Sequence, residues 1–238
     1  ITYNAIHHPV VGRDGMVSSQ NAVSTRVGVE ILERGGNAID AAVGVGLALA
    51  VTLPRAGNLG GGGFMVVHLA DKDRTVAIDF REVAPALAHS NMYFSEDGEV
   101  DNAEYRFTHK SSGVPGTIAG FDHILREYGT MTWAEVIEPA LRLARDGIEV
   151  TDDLAMNLSG SKARLTNNPA TAAAFYKPNG SDYRSGETLR QPDLAWTLEQ
   201  LQMGGADAFY RGSIAERIVA DMEANNGIIT AKDLADYR

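Results

Sequence analysis

The sequence predicts a mixed α/β fold rich in helix, and three observations carry that expectation. An unbroken apolar and glycine run over residues 41–51 follows a helix-start signal, so it reads as a helix buried on every side. Two strand-like stretches, "FMVVHLA" and "RTVAIDFREV", lie next to each other around a short polar turn. From Gly116 onward, apolar residues recur at helical spacing in several segments that end at glycine.

Bulk properties narrow the function classes. The chain has 238 residues and 44% hydrophobic content, enough for a sizeable core. A net charge of −10 argues against nucleic acid or an anionic membrane as partner. With no cysteine, disulfides and thiolate metal sites are excluded. The apolar run is shorter than the roughly 18–20 residues a membrane span needs, so no span is expected. The first residue is Ile1, and removal of an upstream segment is the expectation.

Each element has a local reason. "SSQNAVSTRVGVEILERGG" sets Val23, Val27 and Ile31 on one helical face and stops at a glycine pair. Asn37 caps the next helix, with Asp40 placed to favour its positive end. In the second strand Val76, Ile78 and Phe80 share one face, while Ala77, Asp79 and Arg81 share the other. The turn "ADKD" makes the strand pair antiparallel. Helices follow over 117–129 and 132–147, the second opened by a Thr132–Glu135 capping box and interrupted by a kink or break at Pro139. Residues 159–190, rich in Asn, Ser and Gly, read as a long surface excursion. Helices resume over 191–205 and 213–227, the latter with Ser213 and Glu216 as a capping box, and again from Thr230. So little sheet among so many amphipathic helices leaves apolar faces uncovered. The whole of 1–238 therefore reads as a single partial domain of a larger object.

The chemistry is sparse. "GNLGGGGF" crowds five glycines into residues 57–64, yet no Lys-Ser/Thr follows Gly63, and a helix precedes where nucleotide folds need a strand. Two readings stand for this turn: close packing of bare backbone, or exposed N–H groups lining an anion site. Ser112 and Ser159 lie in loop compositions without a nucleophile elbow. His7 and His8 lack a carboxylate partner for a metal, and His68, His89, His109 and His123 are scattered. No metal or cofactor is expected. Arg81 stands out at the end of a core-like strand: it is either paired with Asp79 or Glu82, or a fork for a substrate carboxylate.

The strings "GMVSSQNAVSTRVGVEILERGGNAIDAAVGVGLALAVTLPRAGNLGGGGFMVVHL", "AIDFREVAP", "SGVPGTIAGF", "ARDGIEV", "AFYRGSIAERI" and "GIITAKDLADY" together resemble the γ-glutamyltransferase (γ-glutamyl transpeptidase) family, most of all its bacterial members. The resemblance implies an N-terminal-nucleophile hydrolase αββα sandwich, of which this chain is the helix-rich first part of the large subunit. It implies a precursor that cuts itself, a small-subunit partner in a heterodimer, and a threonine nucleophile on that partner rather than any catalytic residue here. Thr2 does not match that nucleophile.

The implied reaction moves the γ-glutamyl group of a donor such as glutathione or glutamine through a threonine ester to water, an amino acid or a peptide. Arg81 is the donor α-carboxylate ligand that the resemblance implies, and the glycine turn becomes a packing device. It further implies a periplasmic or secreted location with a signal peptide removed. "TLPRAGN" departs from the bacterial pattern T-H-P-Q-A-G-N, and Arg55 is thereby expected to add a cation near the site entrance. A cephalosporin or glutaryl acylase of the same family, and a non-catalytic assembly fragment, are the alternatives.

Overall fold

Two mutually supporting helices open the computed structural model, which describes residues 10–238. Ile1, Thr2, His7 and His8 lie outside the described residues. Helix α1 (Ala22–Glu33) starts where the Asn21 side chain accepts from the N–H groups of Val23 and Ser24. Helix α2 (Ala38–Thr52) starts at a reciprocal capping box between Asn37 and Asp40. Their apolar faces meet around Ile31, Val43, Leu47 and Val51, all wholly buried. The buried hydroxyls of Ser24 and Thr52 satisfy each other at 2.7 Å.

Asp40 does more than begin α2. It is fully buried, and its carboxylate also accepts from the Thr130 N–H at 3.0 Å, the Thr130 hydroxyl at 2.7 Å and the Met131 N–H at 3.2 Å. One carboxylate thus ties the start of α2 to the loop at Thr130 and Met131, ninety residues on.

After α2 the chain passes through the glycine turn into β1 (Phe64–Leu69), which pairs antiparallel with β2 (Arg74–Asp79) from Phe64↔Asp79 to Leu69↔Arg74. The link is a short 3₁₀ turn, Ala70–Lys72, with Asp73 at a left-handed φ of 42°. The second strand was expected to reach Val83; it stops at Asp79. Phe80 still exchanges backbone hydrogen bonds with Gly63, at 3.0 and 3.3 Å, and Val83 then bridges to Val114 instead. The cause is the partner: ahead of Gly63 the chain is already turning and offers no strand to pair with.

The alternation read from the sequence holds. Phe80 is buried against Phe121, ring centroids 5.9 Å apart, with Ile78 and Val76 behind it. The opposite face is open, with Phe64 66% and Val66 72% exposed.

The remaining elements are α3 (Asn102–Phe107), which carries no buried residue and was not anticipated, α4 (Thr117–Tyr128), α5 (Trp133–Asp146), β3 (Ile148–Glu149), α6 (Asp152–Leu165), α7 (Pro169–Phe175), β4 (Thr188–Leu189), α8 (Pro192–Tyr210), α9 (Ser213–Ala224) and α10 (Ala231–Asp236). Strands β3 and β4 form a second, minimal antiparallel pair. The fold is therefore helix-rich and mixed α+β with small sheets, and α2 lies at its centre against α1, α4 and α5.

Three local expectations fail in whole or in part, each for a physical reason. Pro139 does not break α5, which runs through it. The face Val136–Ile137–Ala140–Leu141–Ala144 is buried, and that packing outweighs one lost backbone hydrogen bond. The stretch 159–190 does lie at the surface, but about half of it is the end of α6, α7 and β4, because Thr151 and Asn168 cap helices that bury only Leu154 and Leu158 and so show little periodicity. Ser213 is not a cap: its hydroxyl bonds the Gln200 side chain, and Gly212 precedes α9 without a side-chain cap.

Candidate functional site

The glycine turn proves to be a junction of three backbone segments. Gly61 lends its carbonyl to the N–H groups of Gly116 (2.7 Å) and Thr117 (3.0 Å), the first residues of α4. The Asn58 side-chain oxygen accepts from the Gly61 N–H and from the Thr117 hydroxyl, both at 2.8 Å. At Gly62 an added Cβ would stand 2.6 Å from both the Phe80 carbonyl oxygen and the Arg81 Cα, so any side chain would push the end of β2 away. Close packing accounts for this turn, apart from Gly60, which faces open space.

Arg81 sits one residue past Phe80, on the open face of the hairpin, and is exposed. Its guanidinium lies over the Phe64 ring, 5.8 Å from the centroid. Among the described residues it forms no ion pair; the Asp79 carboxylate instead accepts from the Arg81 backbone N–H at 3.0 Å. The alternative in which Asp79 or Glu82 neutralises this arginine is not what forms. The Arg81 carbonyl accepts from the Tyr237 hydroxyl at 2.7 Å.

Tyr237 is stacked on Tyr210, centroids 5.8 Å apart and 15° from parallel. The Tyr210 hydroxyl donates to the Pro115 carbonyl at 2.8 Å and accepts from the Ala119 N–H at 3.1 Å. Burial pushes the Tyr210 phenol well above the usual tyrosine range. Tyr237 moves the same way, by burial first and then by the Asp79 and Glu82 carboxylates. Sequence reading overlooked both tyrosines and Asn58. No local signal marks the tyrosines, because Tyr237 reaches Arg81 across 156 residues of chain.

A cleft of about 710 Å³ opens behind Phe80, between α4, α10 and a kink in α8 where Gly205 leaves helical geometry (φ 59°, ψ −154°). Arg81 does not line it; its guanidinium lies on the open face, over Phe64. Arg55 lines a different groove, of about 570 Å³, beside α6 and pairs with Asp153 at 3.1 Å. The cation expected at a site entrance is thus already engaged by an acid. His109 contacts Asp221 at 2.9 Å and His68 contacts Thr75 at 3.2 Å. Among the described residues no cluster of His, Asp and Glu could hold a metal ion, and no helix is long and apolar enough to cross a membrane.

The family described as Gamma-glutamyltranspeptidase matches residues 24–238. The chain belongs to that family. The "Glutathione hydrolase proenzyme" of Escherichia coli (strain K12) is 47% identical over 233 residues, covering 98% of this chain and 40% of that protein. The crystal structure of Helicobacter pylori gamma-glutamyltranspeptidase superposes with a TM-score of 0.94 at 42% identity, over 97% of this chain and 66% of that one. Gamma-glutamyltranspeptidase from Pseudomonas nitroreducens, complexed with L-DON, gives a TM-score of 0.88 at 37% identity, over 96% of this chain and 66% of that one. The helix-rich α+β structure thus matches gamma-glutamyltranspeptidase structures, in keeping with the N-terminal-nucleophile hydrolase fold expected from the sequence. The chain spans about 40% of the length of the curated bacterial relatives it matches.

Proposed function

We propose that this chain is the scaffold and donor-anchoring part of an enzyme that transfers or hydrolyses the γ-glutamyl group of amides such as glutathione or glutamine. The observation that carries the reading is the likeness, over nearly the whole chain, to proteins named glutathione hydrolase proenzymes. The nucleophile is a threonine at the new N-terminus of a companion small subunit cut from the same precursor. Its free α-amine takes the hydroxyl proton as the oxygen attacks the γ-carbonyl and passes it to the departing amine as the amide C–N bond breaks, leaving the acyl ester. Water, an amino acid or a peptide amine then accepts the acyl group.

In this scheme Arg81 binds the donor α-carboxylate. Guanidinium matches a carboxylate with two parallel hydrogen bonds and stays protonated, so it anchors and carries no acid–base step. An exposed guanidinium that forms no ion pair among the described residues, on an open sheet face beside Phe64 and Val66, suits that task. Phe64 and Val66 on the same face are the surface that the small subunit covers, completing the sandwich and desolvating the anchor. A location outside the cytoplasm belongs to the same reading and is checked by cell fractionation.

The test uses the complete protein. Denaturing electrophoresis with N-terminal sequencing should find a companion chain that begins with threonine. γ-Glutamyl anilide should be cleaved in preference to glutaryl anilide, which keeps the terminal carboxylate but lacks the α-amine. Arg81→Ala should cut kcat/KM on the γ-glutamyl substrate by an amount worth about 2–5 kcal/mol, mainly through KM. A preference for glutaryl anilide points to the acylase, absence of the companion chain to a non-catalytic fragment, and unchanged kinetics of Arg81→Ala removes the anchoring role.

A further inference from the structure

We propose that Tyr237 and Asp79 are positioning residues for Arg81, acting on its two backbone polar groups to aim the guanidinium. The inference rests on the donor-anchoring role of Arg81 proposed above and adds what holds that anchor still.

Arg81 has little of its own to fix it. The β1–β2 ladder ends at Asp79, the backbone exchanges to either side are Phe80 with Gly63 and Val83 with Val114, Arg81 takes part in neither, and its side chain is exposed. An exposed residue between two pairings keeps local freedom, whereas a binding group must be held to within about half an ångström. Two bonds supply the restraint. The Asp79 carboxylate takes the Arg81 N–H at 3.0 Å, and the Tyr237 hydroxyl donates to the Arg81 carbonyl at 2.7 Å. With both flanking peptide groups held, the direction of the Arg81 Cα–Cβ bond is set.

Tyr237 can impose that geometry because it is itself immobilised. Its ring stacks on Tyr210, whose hydroxyl is bonded to Pro115 and Ala119 at the start of α4. A Cβ on Gly116 would overlap both the Phe80 carbonyl oxygen and the Tyr237 hydroxyl, so the strand end, the tyrosine and α4 meet with no slack. The restraint runs from the start of α4 through Tyr210 and Tyr237 to Arg81.

The experiment is a double-mutant cycle in the complete enzyme, with kcat and KM measured on γ-glutamyl anilide for wild type, Tyr237→Phe, Arg81→Ala and the double variant. Tyr237→Phe keeps the stacked ring and removes one hydrogen bond, so KM should rise about three- to tenfold with kcat within about twofold. In the Arg81→Ala background the same change should have little further effect, because the group it aims is gone. Asp79→Ala should behave likewise, and it takes over the test if Tyr237→Phe does not fold. A raised KM in Arg81→Ala with an unchanged KM in Tyr237→Phe overturns the positioning role and leaves the anchor intact. A Tyr237→Phe effect of equal size in both backgrounds also overturns it, since the tyrosine then acts on packing in general. An unchanged KM in Arg81→Ala overturns the anchor itself, and the positioning role with it.

Discussion

Replacing Asp40 by alanine should be among the most damaging single changes in this chain, and its size follows from the hydrogen-bond count. The carboxylate is fully buried and takes four donors: the N–H groups of Asn37 (2.8 Å), Thr130 (3.0 Å) and Met131 (3.2 Å), and the Thr130 hydroxyl (2.7 Å). Alanine leaves these donors facing a cavity. A buried polar group that loses its partner costs about 1–3 kcal/mol, and water entering the space recovers part of the sum. The net loss expected is about 3–5 kcal/mol, as for other broken buried charge networks.

Asp40→Asn preserves one acceptor oxygen and shape but sets its amide against donors, so about 1–3 kcal/mol is expected. Denaturant unfolding of each variant beside wild type gives the magnitude, and amide hydrogen exchange at Thr130 and Met131 gives the place. A loss below about 1 kcal/mol for alanine, or unaltered exchange at both amides, would show that the loop between α4 and α5 does not depend on this carboxylate. Helix α2 leads straight into the glycine turn, so the same variant tests how firmly the candidate site is founded.

Further outcomes concern the tyrosine–glycine junction. Gly116→Ala must displace the Phe80 carbonyl or Tyr237, so it should lower stability by about 1–3 kcal/mol and raise donor KM as Tyr237→Phe does; a neutral effect on both would contradict the close contact. Tyr210→Phe leaves the Ala119 N–H and the Pro115 carbonyl without their partner and should cost about 1–3 kcal/mol in denaturant unfolding. Burial raises the folded-state pKa of Tyr210, so its phenol contributes stability in full below the unfolded tyrosine value of about 10. That contribution falls as pH climbs from there toward the folded value, because the unfolded chain loses the proton first. Tyr210→Phe should therefore flatten the alkaline fall in stability above about pH 10, and an unchanged alkaline profile would argue that this phenol is not buried in solution.

Much of the fold was legible because its signals are local. Asn37 with Asp40 and Thr132 with Glu135 cap helices through atoms within three residues of one another, and the structure places both caps where the sequence puts them. The alternation around Phe80 is equally local, as is the hairpin turn. The same logic misread α6, whose two buried leucines give too weak a period, and Pro139, whose cost is outweighed by a face that packs only once the other helices are in place.

What the sequence determined by itself was the family, the strand pair, most of the helices and Arg81 as the residue to examine, because motif strings, caps and periodicity are written in neighbouring residues. What only the tertiary structure decided was the state of that arginine: no acid taken up from Asp79, its carbonyl held by Tyr237, and its guanidinium set over Phe64 on an open face. Those contacts join residues up to 156 positions apart, and a hydrogen bond between distant segments exists only after packing has brought its donor and acceptor within 3 Å or so of each other.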